Sequence, residues 1–459
     1  MTKPTVTIYI PCRNYGRFLR QAVESVICQL YKEWELFIID EASNDDTAHI
    51  AEEMRVRAPD KIKIISNQKP VGLQKVANNV LDRALGKYMI RLDADDWFDE
   101  CAILSMVSKL ESEPGVGIVY GNYYYTNEEG NIIGSERRAR ISEGGSSDHL
   151  PPHGACTMFR TRALKNAGGY SEDVDAQDGW ELWHKLHKRI GAVNLDLPLF
   201  YYRQHGNSLS TDSSKMLKAR TKILGKISRT LEGDYKPTVI AVIPVKESYP
   251  GFEGVPYKVV EGYSLLERAI LSASSETKIS SIIVTSESPN VLGFSEDLEK
   301  KGKVPKHVRL LRKTKTESSS TIPVRQFMIE AGNHFAEETS RPPDIIAYLS
   351  LHAVYRNKEH VCQALDVMRI TQSDAVVSVL EEREPMFSYR EQGLHLINPG
   401  RFRDLAYDQE RLYRFNGSII ATWWEVLSEH DLFGEKVSFF EMTAKESYQV
   451  QNNQTDINS

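Results

Sequence analysis

Two runs of the same kind, residues 6–11 (VTIYIP) and Val239–Pro244 (VIAVIP), open the same series of events half a chain apart. Each is short, rich in β-branched residues and closed by proline, the pattern of a strand buried on both faces of a parallel sheet. Each is followed by a polar loop and a helical pattern, at 18–29 and at 264–272. In a chain of 459 residues, too long for one core, this predicts two Rossmann-like α/β domains. The polar, Gly- and Pro-containing stretch 231–237 (LEGDYKP) is the expected linker. The first domain then covers 1–230 and ends in a basic helix over 211–230. The second covers 238–450, and 451–459 is a polar tail.

After the first strand, strand-like runs at 35–40 (ELFIID), 62–66 and 88–92 (YMIRL) alternate with helical patterns at 46–57 and 75–84. Such alternation predicts a mostly parallel sheet covered on both faces, with ligands at the C-terminal ends of its strands. Two acidic clusters stand at those ends: Asp40-Glu41, and Asp93-Ala94-Asp95-Asp96. Carboxylates gathered on one rim repel unless a cation sits among them. A hard divalent ion with oxygen ligands, Mn²⁺ or Mg²⁺, is the natural partner. Alone, residues 93–96 would read as a solvated turn; their place after a strand, with Asp40 beside them, favours the ion.

Charge and cysteine content exclude other classes. The net charge of −6 gives no field for nucleic acid, and no aromatic-basic array is visible. The five cysteines are odd in number and scattered, which argues against a disulfide framework or a thiolate zinc site and for buried thiols in a reducing compartment. No run approaches the ~18 apolar residues of a spanning helix, and no leader is visible, so a cytoplasmic protein is expected. Peripheral contact with the inner face of the membrane stays open through the 211–230 helix, with Lys215, Lys218, Arg220, Lys222, Lys226 and Arg229. Its apolar stripe, Met216, Ile223, Leu224 and Ile227, is narrow, which favours packing on its own domain.

Six pieces of the first half, in order, resemble the family 2 glycosyltransferases of GT-A fold. They are VTIYIPCRNYGRFLRQAVESVICQ, ELFIIDEASNDDT, Gly72 to Asn78 with Ala84-Leu85-Gly86, RLDADD, GGYSEDVDAQDGWELW and YYRQHGNSLS. The resemblance covers about residues 5–210. It implies an inverting, metal-dependent hexosyltransferase using a nucleotide sugar, with a UDP-sugar favoured, in surface glycan or glycoconjugate synthesis. Residue by residue it implies that Asp40 or Glu41 binds base and ribose and that Asp93 meets the ribose. Asp95 holds the metal, and His205 approaches the metal or the pyrophosphate. Pro11, Arg13, Asn14, Lys75 and Ala94 would complete the donor site. Asp178 would be the general base, with Glu181 in reserve because Gly179 interrupts the motif. Glu41 stands where Asp is commoner. On the acceptor side, His153 either lines the site or is an ordinary loop histidine; Trp180 either stacks on a sugar or is core, and Trp183 is read as core. The acceptor would be a glycan, a lipid-linked sugar or a protein.

Residues 238–450 resemble the cytidylyltransferases that make CMP-sugars, such as the CMP-sialic acid synthetases, through VIAVIPVKESYPGFEGVPYKVVEGYSLLERAI, DIIAYLSLHAVYR and RLYRFNGSIIAT. The resemblance points to a nucleotidyltransferase-like fold with Lys246, Arg356 and Asn416 as candidate site residues. The chain departs from it at three places. Glu247-Ser248-Tyr249-Pro250-Gly251 replaces the cationic loop, Val255-Pro256 replaces a Lys-Asn pair, and Gln449-Val450-Gln451 replaces the acidic metal pair. Glutamine is a poor ligand for Mg²⁺. The expectation is a domain that keeps the fold without nucleotidyl transfer and serves a partner, an acceptor or a second copy. A bifunctional enzyme that also makes a CMP-sugar from CTP, and a non-catalytic nucleotide-binding scaffold, are the alternatives.

Overall fold

The computed structural model describes residues 4–138, 154–173, 178–186, 189–205, 213–231, 233, 236–249, 252–274, 278–305, 308–312, 324–382, 384–390, 393–398, 412–429 and 431–450. The chain divides into two units, Met1–Ala219 with Arg383–Glu410, and Arg220–Glu382 with Arg411–Ser459.

In the first unit β1 (Val6–Cys12), α1 (Gly16–Ile27), β2 (Trp34–Glu41), α2 (Thr47–Arg57), β3 (Ile62–Asn67), α3 (Leu73–Arg83) and β4 (Tyr88–Arg91) alternate as expected. There follow β5 (Trp97–Phe98), α4 (Ala102–Ser112), β6 (Val116–Thr126), β7 (Ile132–Glu136), β8 (Thr157–Arg160), α5 (Thr161–Asn166), α6 (Asp178–Leu186), β9 (Gly191–Arg203) and α7 (Ser213–Thr230). The sheet order is β3-β2-β1-β4-β8-β6-β9-β5, with β7 beside β6. The first four strands are mutually parallel, but β8 runs antiparallel to both β4 and β6, and β5 antiparallel to β9. The parallel order expected from the alternation holds up to β4. Beyond it β6 and β9 are again parallel, but β8 and β5 run against their neighbours, and the sheet is mixed.

All eight residues of β2 are buried, which fits a central strand covered on both faces. Leu19, Ala22, Val23 and Val26 recur at helical spacing on α1 and pack with Ile8, Ile10, Leu36 and Ile38 in one core. Each large side chain buried this way stabilises the fold by roughly 1.5–3 kcal/mol. The opposite core holds Tyr9, Phe37, Val80, Phe159 and Trp183. Glycines in the quoted motifs have packing causes. A Cβ on Gly86 would lie 2.4 Å from the backbone N of Thr7. Gly169 has φ +71°, and a Cβ there would come within 2.5 Å of Asn78 Oδ1. Asn78 Nδ2 donates to Tyr170 O (2.9 Å) and its Oδ1 accepts from Tyr170 N (2.8 Å), which ties the Gly-Gly-Tyr motif to α3.

The second unit is also built on a mixed sheet. Its order is Val308–Arg312, Ser281–Ser286, Val239–Pro244, Ile345–Leu349, Leu412–Trp423, Ala375–Glu382, Val437–Glu441. The first four strands are parallel, and Leu412–Trp423 is antiparallel to both neighbours. Ile240, Val242, Ile283, Met328, Phe335 and Ile346 form one of its cores. The first division falls between Ala219 and Arg220, inside α7, rather than in 231–237. Residues 220–230 pack within the second unit: Arg220 pairs with Glu441 at 3.0 Å and Thr221 Oγ1 donates to Gln363 Oε1 at 2.9 Å.

Of the five free cysteines Cys12 and Cys156 are buried, but Cys28 is exposed at the end of α1, against the expectation of uniformly buried thiols. Among the described residues no helix is long and apolar enough to cross a membrane.

Candidate active site

The C-terminal ends of β1, β2 and β4 bring the donor-side candidates to one rim. Cys12 on β1 is in register with Asp40 on β2, and Tyr9 with Arg91 on β4, so Asp40 and the loop after β4 flank the end of β1. Asn14 adopts φ +58°, a left-handed conformation asparagine tolerates. Its Oδ1 accepts from Asn44 N (2.8 Å), its N donates to Ser43 Oγ (3.0 Å), and Ser43 N donates to Asp40 Oδ1 (2.9 Å). The loops after β1 and β2 are thus laced together. Asp45 adds to the lacing by accepting from Gly16 N (2.9 Å) and Thr47 N (3.1 Å). Burial pushes the Asp45 carboxyl up, but these bonds and the Thr47 hydroxyl outweigh it and hold it below the usual range.

Glu41 is placed differently from Asp40. Its Oε2 accepts from Val71 N (2.9 Å) and Gly72 N (3.0 Å), and its Oε1 from Asn67 Nδ2. This carboxylate lashes down the loop between β3 and α3, so of the two candidates Asp40 is the less committed. Arg13 is exposed in the loop after β1, and Lys75 is exposed in the first turn of α3. Pro11 lies within β1 itself, half-buried. Ala94 is buried in the core, so its side chain packs and only its backbone remains for a ligand.

The acidic loop after β4 carries the main charge. Arg91 Nε lies 3.0 Å from Asp93 Oδ1. Asp95 Oδ2 lies 2.9 Å from His205 Nε2, and the imidazole rests against the rings of Tyr15 and Phe18, each centroid 5.5 Å away. Asp96 is wholly buried. Its Oδ1 accepts from Arg203 N (2.9 Å), while its Oδ2 has no hydrogen-bond partner among the described residues. Burial first, then the Asp95 and Asp93 charges, push the Asp96 carboxyl well above the usual range. Burial and the same two carboxylates push the Tyr15 hydroxyl up to about 12. This concentration of negative charge fits a hard cation. Among the described residues no three His, Cys, Asp or Glu form a cage, so the chain would supply Asp95 and His205 and leave the other positions to phosphate oxygens. Asp45, Tyr15 and Arg203 were not singled out from sequence, and Asp96 only as a member of the acidic cluster, although all four lie inside the quoted motifs.

The base and acceptor candidates are less fully displayed. Asp178 is the first residue of α6, and its side chain and that of Glu181 lie outside the described residues, as does His153 altogether. Trp180 is only 1% exposed, so it packs in the interior and offers no face to a sugar; Trp183 is core, as expected.

The sequence profile of Glycosyl transferase family 2 matches residues 7–168. The N-terminal half is a family 2 glycosyltransferase. Its relatives include chondroitin synthase of Escherichia coli, 28% identical over 214 residues, 45% of this chain and 30% of that protein. They also include UDP-Glc:alpha-D-GlcNAc-diphosphoundecaprenol beta-1,3-glucosyltransferase WfgD of Escherichia coli, 26% identical over 223 residues, 48% of this chain and 85% of the relative. Among solved structures S. aureus TarS 1-349 in complex with UDP-GlcNAc is 16% identical with TM-score 0.43, covering 50% of this chain and 68% of that one. The chain thus spans about a third of the synthase's length. The glycosyltransferase match ends before α6 and β9, so the roles of Asp178 and His205 rest on the quoted motifs.

In the second unit two of the three candidate residues, Arg356 and Asn416, are committed inside the protein. Arg356 is buried; its Nε donates to Ser272 Oγ (3.0 Å) and its Nη1 to Ser350 O (2.6 Å) and Ser418 O (3.0 Å). Burial lowers its pKa to about 10. Asn416 accepts from Ser378 Oγ (2.6 Å) and Ser418 N (3.1 Å) and donates to Ser447 Oγ (2.9 Å), while Gln449 Nε2 donates to its carbonyl. These two side chains act as struts rather than as groups presented to a substrate. Lys246 sits 5.5 Å over the Tyr249 ring. Beside it Glu247 accepts from Ser288 Oγ (2.5 Å) and Tyr257 OH (3.0 Å), which keep it ionised below the usual carboxylate range.

Proposed function

We propose that the first unit is an inverting, metal-dependent glycosyltransferase with a GT-A arrangement. It would move a hexosyl group from a nucleotide sugar, a UDP-sugar by preference, to a hydroxyl of a glycan, lipid-linked or protein acceptor in surface polysaccharide or glycoconjugate synthesis. The observation that carries this reading is the Asp95–His205 pair inside the acidic loop at the end of β4. WfgD, whose name specifies a UDP-Glc donor and a lipid diphosphate acceptor, supports the choice of donor and acceptor class.

The residues divide the work. Asp40, fixed by Ser43, receives the base or ribose, and Asp93, steered by Arg91, meets the ribose. Asp95 and His205 would hold Mn²⁺ or Mg²⁺, which supplies Lewis-acid neutralisation of the departing diphosphate. Lys75 and Arg13 add cations from the rim. Asp178 removes the acceptor proton as the hydroxyl attacks, and one base with in-line attack inverts the anomeric carbon.

For the second unit the reading is a cytidylyltransferase-like fold without nucleotidyl transfer. Its support is that Arg356 and Asn416 are tied inside and Glu247 places a negative charge beside Lys246. Both readings meet in one thermal-shift screen of the full chain with UDP, GDP, CDP, CMP and CTP, each with and without Mn²⁺. The expected result is a rise with UDP that needs Mn²⁺, about 2.7 kcal/mol of stabilisation at a hundredfold excess over Kd. No nucleotide shift at all would sink the donor site. A shift with CTP, followed by CMP-sugar formation, would restore the bifunctional alternative.

A homo-oligomer is proposed through the antiparallel hairpin Met386–Arg390 with Gly393–Asn398. Phe387 pairs with Leu396 and Tyr389 with Leu394 on one face, and these are 52, 52, 81 and 70% exposed. An isolated two-stranded hairpin is marginal in water. A second copy presents the same uncharged apolar face, the self-complementary condition of a two-fold dimer. Light scattering is expected to give a dimer at micromolar concentration and a monomer after Tyr389→Lys with Leu394→Lys; a monomeric parent protein would refute it.

A further inference from the structure

We propose that Arg203 is a positioning residue for the transfer reaction, holding the acidic loop and His205 in one geometry through Asp95. Three consecutive residues, two of that loop and the first of β5, touch it. Its Nε donates to Asp95 O at 2.9 Å, its backbone N donates to Asp96 Oδ1 at 2.9 Å, and its guanidinium lies 4.7 Å over the Trp97 ring. On its other side the guanidinium lies 4.5 Å over Phe18, Nη2 donates to Gln21 Oε1 at 2.5 Å, and Nη1 donates to Glu128 O. The stack continues outward: Trp97 lies on Tyr201 (5.0 Å) and Tyr201 on Tyr124 (5.4 Å), while Arg17 covers the Phe18 ring at 4.3 Å.

One buried side chain therefore joins α1, the loop after β4, β5 and the turn after β6. Only arginine combines a flat face for two rings with donors spread in a fixed fork; a lysine is a point charge on a flexible stem. His205 follows Arg203 by two residues, and its ring packs on the same Phe18 that Arg203 covers. A change at Arg203 would thus reach Asp95 through its carbonyl and His205 through the strand end and Phe18. The inference rests on the reading of Asp95 and His205 as the metal side of the site.

The test is Mn²⁺ binding to the full chain with UDP, followed by the free-ion paramagnetic resonance signal, alongside kcat, KM and melting temperature. Arg203→Lys is expected to weaken Mn²⁺ binding by about tenfold or more, the scale of losing an outer-sphere support. Its kcat should fall in parallel, recover in part with excess Mn²⁺, and leave the acceptor KM within about twofold. Gln21→Leu, which removes only the Nη2 contact, should weaken Mn²⁺ binding by roughly threefold. A lowered melting temperature with wild-type Mn²⁺ affinity would make Arg203 purely structural and overturn the proposal. If Arg203→Lys does not fold, unchanged affinity in Gln21→Leu overturns it equally. Wild-type protein that turns over without binding Mn²⁺ would instead remove the metal reading, and this inference with it.

Discussion

Asp95→Asn is expected to lower kcat by about 10³-fold, the scale of losing a charged group that stabilises a leaving group. The substitution keeps the size of the side chain and a hydrogen-bonding partner for His205 Nε2, now 2.9 Å from Asp95 Oδ2, but removes the negative charge. The fold should survive. The loop is held from its backbone by Arg203, and removing one of three crowded carboxylates relieves repulsion on Asp96. The melting temperature without ligand is therefore expected to stay level or rise slightly while activity collapses. Initial rates over a Mn²⁺ titration check this. Wild-type turnover with an unchanged metal dependence would show that the acidic loop does not serve the diphosphate.

Asp178→Asn is expected to reduce kcat by roughly 10²–10⁴-fold, the range for loss of a general base, with donor affinity unchanged. Asp178 opens α6, and that helix is anchored by Trp180, Leu182, Trp183 and Leu186, all buried. The backbone carrying Asp178 is thus set by the core, and an amide of the same shape should not disturb it. Glu181 stands three positions on, on the same side of the helix. Single-turnover rates with each of Asp178→Asn and Glu181→Gln separate the two. A near wild-type Asp178→Asn with a dead Glu181→Gln moves the base one turn along.

Much of the donor half is legible in the sequence because local signals there agree with tertiary ones. The strand-like runs before Asp40 and Asp93 are buried strands, and their acidic ends fall on one rim because parallel strands align their C-termini. What stayed illegible depends on partners distant in the chain. Nothing in the residues around Glu41 says that its carboxylate will be claimed by the amides of Val71 and Gly72. Trp180 fits a sugar platform and a core equally well by spacing, and burial decides it. Arg356 and Asn416 resemble ligand-facing residues by motif, yet serines and carbonyls far along the chain occupy them. Arg203 lay in a motif noticed for its histidine, and its reach to Asp95, Asp96 and Trp97 shows only in the folded chain.

With Lys75 on the donor side and Asp178 as the base, as proposed, the clasp of Asn78 on Tyr170 would couple two parts of the reaction that chemistry keeps separate. The helix that offers Lys75 at its start also moors, at its middle, the far end of the short tether leading to Asp178. Donor capture and proton removal would then share a single chassis. Sequence drift on the outer side of α3 that tilts this helix would be felt at both places together, and neither half of the proposed chemistry would then be free to evolve alone.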